Sequence, residues 1–447
     1  MRSFPAGGIH PPENKLTAGC EIKPFPIPAS VTIPIAQHIG APAEIIVAKG
    51  DYVKVGQLIA KAKGFVSTNI HSSVSGKVSK IDTVIDASGF KQTAIFIDVE
   101  GDEWEPSIDR SDTLITDITA TPEEILNKIL EAGIVGMGGA TFPSHVKLSV
   151  PPGKKCEVLL INGVECEPYL TSDHRLMLEH GEEIMVGVSI LLKALKINKA
   201  IIGIENNKPD AIELLTKLST KYSGIEVCPL KVKYPQGAEK QLIKALTGRE
   251  VPMGKLPIDV NAVVQNIGSV FAVYEAVQKN KPLFERTVTI TGKHLAKPGN
   301  FLVRIGTPIS ALIEAAGGLP EDTGKVVSGG PMMGKALKNI SAPVTKGTSG
   351  VVLFPNDEAT RAPMGPCIRC GKCVEACALK LEPYLMARLS EKGLWAEAEK
   401  AGVANCCECA SCQYTCPANR PLLDYLRLGK TTVIKLARER AAKKQAV

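Results

Sequence analysis

Aromatic side chains are scarce in this chain: ten Phe, eight Tyr and two Trp make up 4% of 447 residues. They are not interleaved with the scattered Lys and Arg, so the formal charge of +7 does not read as a nucleic-acid surface. No apolar run reaches eighteen residues, and no membrane span is expected. The opening residues MRSFPAGGIHPP lack the apolar stretch of a secretory leader, so export is not expected. Complete nucleotide loops are missing as well. Gly329-x-x-x-x-Gly334-Lys335 is followed by Ala336, where a phosphate-binding loop needs a hydroxyl for Mg²⁺, which argues against ATP or GTP hydrolysis there. Gly136-Met137-Gly138-Gly139 departs from G-x-G-x-x-G, because two glycines are adjacent and position 141 is Thr.

What the chain does hold is cysteine, glycine and proline: 13, 40 and 31 residues. Eight of the cysteines form two copies of one pattern, Cys367-x-x-Cys370-x-x-Cys373-x-x-x-Cys377 and Cys406-x-x-Cys409-x-x-Cys412-x-x-x-Cys416, the second followed by Pro417. Bacterial ferredoxins use this run to hold two [4Fe–4S] clusters, with the fourth cysteine of each run serving the other cluster. One cluster then takes Cys367, Cys370, Cys373 and Cys416, and the other takes Cys406, Cys409, Cys412 and Cys377. Cys407 is surplus. Structural zinc also uses C-x-x-C pairs, but the triple spacing and the terminal proline favour iron–sulfur. Ala378 stands where the first copy lacks its proline. Cysteines in a metal pattern point to a reducing cytoplasm, with Cys20, Cys156, Cys166 and Cys228 as buried thiols.

A hydrophobic content of 44% is enough for real cores, and the length suggests roughly two to four domains. We read a multidomain α/β protein. Residues 1–115 are short β-like runs. Gly50-Asp51-x-Val53-x-x-Gly56-Gln57 and Ser75-Gly76-Lys77-Val78 resemble the barrel-sandwich hybrid of biotinyl and lipoyl domains. Ser72, Ser73 and Val74 occupy the tip where a carrier lysine would sit, so the unit reads as structural. Residues 116–282 alternate strand and helix signals. Thr121-Pro122-Glu123-Glu124 starts a helix, Val158–Ile161 and Ala200–Ile204 are buried strands, and Ile184–Leu195 has helical spacing. Residues 283–355 resemble a β-grasp module, with a strand at Thr287–Gly292 and a helix at Ile309–Ala316. Residues 356–430 hold the cysteines, with one or two helices over Pro383–Lys400. Residues 431–447 are a basic tail, suited to an anionic membrane surface, an acidic partner or plain solvent.

A second chemical site is marked by Gly136-Met137-Gly138-Gly139-Ala140-Thr141-Phe142-Pro143 ahead of Lys147. Clustered glycines let backbone N–H groups approach an anion, and a helix start behind them would add to this. Asn162-Gly163-Val164-Glu165-Cys166-Glu167-Pro168 directly follows the first buried strand, and strand ends of open α/β sheets are where ligands bind.

The GxGGAxFPxxxK and Asn-x-x-Glu-x-Glu-Pro segments are similar to the flavin- and NADH-binding subunit of respiratory complex I. Together with Gly7-Gly8-Ile9-His10-Pro11-Pro12, the hybrid motif and the cysteine repeat, they make the chain resemble the RnfC family of the Rnf electron-transport complexes. The resemblance implies non-covalent FMN, NADH or NAD⁺ as substrate, and two [4Fe–4S] clusters. It places Gly136, Gly138 and Gly139 at the FMN phosphate, Lys147 nearby, and Phe142 on the NADH adenine. Asn162, Glu165 and Glu167 line the flavin and nicotinamide, the two glutamates as the catalytic pair. Tyr234, Gly237, Glu239 and Asn266 close the pocket. Val164, Leu148 and Val150 depart from the complex I pattern. The implied partners are an iron–sulfur relay subunit and membrane subunits that couple electron flow to sodium or proton transport. The chain itself would be peripheral, on the cytoplasmic face of the bacterial membrane. Two rivals remain open: a relay or scaffold subunit without flavin, and a cobalamin reductase of the propanediol-utilisation type.

Overall fold

The computed structural model describes residues 1–445; Ala446 and Val447, the end of the basic tail, lie outside the described residues. The N-terminal β unit consists of two small sheets. One pairs Ser30–Pro34, Lys91–Val99, Gly76–Ile85 and Tyr52–Val53; the other pairs Glu44–Ile45, Leu58–Lys61 and Ile70–His71. Alternate residues such as Val31, Ile33, Ile95 and Ile97 face inward and form its core, as the period of two requires. The tip at Ser72–Ser75 is buried. Arg304 donates to the Ser73 carbonyl at 2.9 Å, so the tip is packed against the next module and cannot swing.

The central unit is a four-stranded parallel sheet in the order Ile225–Leu230, Ala200–Glu205, Val158–Asn162, Ala262–Asn266. Its strands read as unbroken apolar runs because helices cover both faces. Leu159 and Ile161 pack with the helices Gly181–Leu195 and Ile267–Lys279, whereas Val158 and Leu160 pack with the helix Glu239–Thr247. The helix Pro122–Glu131 begins on a capping box: Glu124 N donates to Thr121 Oγ1 at 3.3 Å and Thr121 N to Glu124 Oε2 at 2.7 Å. After the Val158 strand the chain moves outward through two strands, then returns to add Ala262–Asn266 on the opposite side. The strand order therefore reverses between the Val158 and Ala262 strands, which is the position where such sheets open a crevice.

The third unit is a mixed six-stranded sheet in the order Ile22–Pro24, Gly299–Arg304, Glu285–Gly292, Gly350–Pro355, Thr323–Ser328, Lys335–Ala336. Helix Ile309–Ala315 packs into its core. The first of these strands precedes the β unit in sequence, so the N-terminal segment reaches across the molecule. The cysteine-bearing segment is helical. Pro383–Lys400 contains two helices, Pro383–Glu391 and Trp395–Lys400. The helix Leu422–Gln445 continues without a break into the basic tail. No helix among the described residues is long and apolar enough to cross a membrane.

Candidate functional site

Asn162 and Asn266 end the two strands that flank the reversal, and they are direct register partners. Each is fixed by its own local geometry. Asn266 Oδ1 caps the helix Ile267–Lys279, accepting from Gly268 N at 2.8 Å, while its Nδ2 donates to Asp173 Oδ2 at 2.7 Å. Asn162 Nδ2 donates to the Gly237 carbonyl at 2.8 Å, which brings the Tyr234–Glu239 segment to the same edge.

The glycine loop lies against these strand ends. Gly136 N donates to the Phe142 carbonyl at 2.9 Å and closes the loop, and Met137 N donates to Ser269 Oγ at 2.9 Å. Phe142 is half-buried. At Gly138 a Cβ would stand 2.5 Å from Asn266 Nδ2, so only glycine fits. At Gly139 a Cβ would meet nothing within 4 Å, leaving its backbone open to solvent. The helix expected behind the loop is a single turn, Ser144–Leu148, so its dipole is small. Lys147 on that turn pairs with Glu239 Oε1 at 2.8 Å. Gln265, beside Asn266, is buried with both amide atoms unpartnered, and the Ser144 hydroxyl is unpartnered too. Open loop amides, an unfilled space over Gly139 and an unsatisfied buried amide fit a polar, phosphate-bearing ligand, and so fit FMN.

The two glutamates read as catalytic both have carboxylates held by donors of the protein. Glu165 sits at φ +43 and turns its carboxylate onto the start of the helix Ser172–Glu179, accepting from Asp173 N at 2.8 Å and His174 N at 3.1 Å. Glu167 accepts from Met332 N at 3.0 Å, Met333 N at 2.9 Å and the Tyr234 hydroxyl at 3.2 Å. The Gly329–Gly334 loop, which lacks the residue for a triphosphate, thus cradles a carboxylate of the protein itself. A Cβ at Gly330 would lie 2.1 Å from Glu167 Oε2. Both carboxylates are engaged by protein donors because Lys15 gathers the intervening backbone. Its Nζ donates to the carbonyls of Glu165, Glu167 and Leu170 at 2.8, 2.9 and 2.6 Å. Lys208 holds the Val164 carbonyl at 2.8 Å, and burial, with Lys15 nearby, pushes its ammonium down to about 8. Burial likewise raises the Glu167 carboxyl. Burial and the adjacent Glu165 raise Asp173 to about 7. Lys15, Lys208, Asp173 and Gln265 carry no motif signal in the sequence.

Cys377, Cys406, Cys409 and Cys412, with Cys407, line a space partly open to solvent and walled by Met386, Leu423 and Leu426. Cys377 comes from the first copy of the repeat, and Cys406, Cys409 and Cys412 come from the second. In the other group, Cys373 and Cys416 are half-buried, while Cys367 and Cys370 are exposed. Burial holds the thiols of Cys377, Cys406 and Cys412 above the usual range, so they are neutral until a cationic centre draws off their protons. Among the described residues, no three His, Cys, Asp or Glu side chains close to the distance of a single ion. Tyr234 joins the two halves of the site. Its hydroxyl reaches Glu167, and its ring packs with Ile9, Met332, Ala410 and Leu423 against the half-buried Cys409.

Residues 3–102 match the RnfC barrel sandwich hybrid domain, 129–275 the Nuo51 FMN-binding domain, and 287–336 the SLBB domain. The chain is 47% identical over 434 residues to the C subunit of the proton-translocating ferredoxin:NAD(+) oxidoreductase complex of Clostridium ljungdahlii, covering 96% of this chain and 94% of that protein. It is 44% identical over 435 residues to the C subunit of the Na(+)-translocating ferredoxin:NAD(+) oxidoreductase complex of Acetobacterium woodii, covering 97% and 98%. It is 43% identical over 431 residues to the C subunit of the ion-translocating oxidoreductase complex of Rhodobacter capsulatus, covering 95% and 82%. With three domain matches in this order and such identity over nearly its whole length, the chain belongs to the RnfC family of the ion-translocating oxidoreductase complexes.

Proposed function

We propose that this chain is the NAD(H)-linked flavin and iron–sulfur subunit of a ferredoxin:NAD⁺ oxidoreductase complex. The observation that carries the reading is the pairing of Asn162 and Asn266 at the sheet reversal, beneath a glycine loop with open space over Gly139. Bound FMN supplies the exchange between a two-electron hydride and single electrons, which NAD(H) and iron–sulfur clusters cannot make directly. The residues have simpler tasks. Gly138 and Gly139 offer backbone donors to the FMN phosphate, Gly136 closes the loop that presents them, and Lys147, steadied by Glu239, places a positive charge beside it. Asn162, Gly237, Asn266 and Gln265 orient the ring system. Phe142 offers a face to the adenine of NADH. Glu165 and Glu167 fix the loop that borders the nicotinamide and act as positioning residues, so no general base is required. The two cysteine groups hold [4Fe–4S] clusters, one ligated by Cys367, Cys370, Cys373 and Cys416, the other by Cys377, Cys406, Cys409 and Cys412. The chain docks peripherally on the cytoplasmic face of the membrane, and partner subunits carry the ion coupling.

Anaerobic addition of NADH to the purified chain tests this reading. The absorbance of bound flavin is expected to bleach, and a one-electron dye to be reduced in proportion to bound flavin. Flavin that stays oxidised under excess NADH would falsify the reading, and a chain that binds iron but no flavin supports the relay-subunit alternative.

A further inference from the structure

The two cysteine groups do not stand equally toward the flavin site. Among the described residues, hydrogen bonds from the flavin unit reach the cysteine segment beside Cys377 and Cys406, the latter from Gly254 N to Asn405 Oδ1 at 3.1 Å, and the loop that holds Glu167 is tied to the C-terminal helix by Arg427, which donates to the Met333 carbonyl at 3.0 Å. The N-terminal strand segment pairs with Tyr234 on one side, Ile9 N to the Tyr234 carbonyl at 2.8 Å and Tyr234 N to the Ile9 carbonyl at 2.9 Å. On the other side Gly8 N donates to the Ala376 carbonyl at 3.0 Å. Gly7, at φ +67, lies so close to Cys377 that a Cβ would come within 2.5 Å of its carbonyl. Gln241, on the helix that starts at Glu239, donates to the Ala378 carbonyl at 3.3 Å. Tyr234 belongs to the apolar cluster, with Ile9, Ala376, Ala410 and Leu423, against which Cys409 packs.

The other group faces away. Cys367 and Cys370 are exposed, and Ile368 between them is 65% exposed, with Met364 at 54% just before. Within the segment, Cys373 of the outer group and Cys412 of the inner group pack in one apolar cluster, which places the groups side by side. Single-electron transfer slows steeply with distance, so adjacency sets the order of transfer.

We propose a fixed relay: the Cys377–Cys406–Cys409–Cys412 group is the cluster next to the flavin, and the Cys367–Cys370–Cys373–Cys416 group is the exchange point with an external one-electron carrier protein. Tyr234 and the Gly7–Ile9 segment are the residues that hold the inner group in place. The inference rests on the proposed function, because it needs flavin and both clusters bound. In the direction of NAD⁺ reduction, a reduced carrier gives one electron at a time to the outer group. Two such electrons and one proton from solvent convert NAD⁺ to NADH, and no bond to a cysteine forms or breaks.

Two full-length variants separate the groups: Cys367→Ser with Cys370→Ser, and Cys409→Ser with Cys412→Ser. Cys406 is left alone because the adjacent Cys407 could replace it. Each variant is expected to keep about four of roughly eight irons. After reduction with dithionite and removal of the excess, both should show the electron paramagnetic resonance signal of a reduced cluster. NAD⁺ is expected to erase that signal in the first variant and to leave it in the second. Erasure only in the second, or at the same rate in both, overturns the order. A measurement without substitution stands beside it. The unaltered protein, treated with an iron chelator and an alkylating reagent, should be labelled first at Cys367 and Cys370; first labelling at Cys409 or Cys412 overturns the assignment of inner and outer. If the unaltered protein binds no FMN, or NAD⁺ erases no signal in it, the proposed function fails instead, and the labelling order still reports on the geometry.

Discussion

At the scale of single residues, the site is built from side chains whose partners lie far off in sequence. The glycines and asparagines are legible in the sequence because their chemistry is local. A glycine run leaves amides bare, and a polar residue at the end of an apolar strand faces the crevice. The hydrogen-bond partners of Glu165 and Glu167 are not legible there. Their position beside a strand end suggests catalysis, but a left-handed turn and the Met332–Met333 amides capture them. Lys15 is a plain lysine in the sequence and becomes a clamp only once three carbonyls converge on it. The two neighbouring glycines give a sharp contrast. Gly138→Ala forces a methyl against the Asn266 amide, and should lower stability by about 1–3 kcal/mol as well as flavin content. Gly139→Ala meets no protein atom, so the thermal midpoint should hold while bound FMN falls. Released flavin and melting temperature, measured together, decide the matter: full FMN retention in Gly139→Ala would remove the phosphate from this loop.

At the scale of elements, apolar runs and caps can be read from the sequence where they are long and self-contained. Thr121 opens its helix, and the Val158 and Ala200 strands form the centre of the sheet. Two-residue strands such as Tyr52–Val53 and Ile70–His71 are too short for a periodic signal. Ile22–Pro24 pairs with Gly299–Arg304, a partner set by the global fold rather than by local pattern. The β unit also carries a pH liability. Burial, with Lys346 nearby, pushes His38 down to about 4 and His71 to about 3, below the usual 6.5. The native unit therefore binds fewer protons than the unfolded chain in that window. Its stability is complete above pH 6.5 and is lost as pH falls toward 4, by roughly 1–2 kcal/mol per histidine at pH 5. Hydrogen exchange of the amides in this unit should accelerate between pH 7 and pH 5 beyond the intrinsic chemical change, and less so in His71→Gln. Protection that does not change with pH would contradict the buried, neutral state of both histidines.

At the scale of the whole molecule, the order of motifs along the chain is enough to suggest the cofactors, but not how the parts meet. The cysteine repeat is sharply spaced, so crossed ligand groups are the expectation from the sequence, and in the fold Cys377, Cys406, Cys409 and Cys412 line one shared space. What the sequence does not show is the junction. Tyr234, Ile9 and Glu167 belong to three separate segments, and together they set the cysteine segment against the glycine-loop unit. The account depends on that junction having a flavin on one side and iron on the other. The most direct test is the cofactor content of the anaerobically purified chain, with FMN released by acid and iron assayed on the same sample. About one FMN and about eight irons per chain are expected, the iron set by two four-iron clusters. Iron without flavin would contradict the glycine-loop site, and zinc in place of iron would contradict the electron-transfer account altogether.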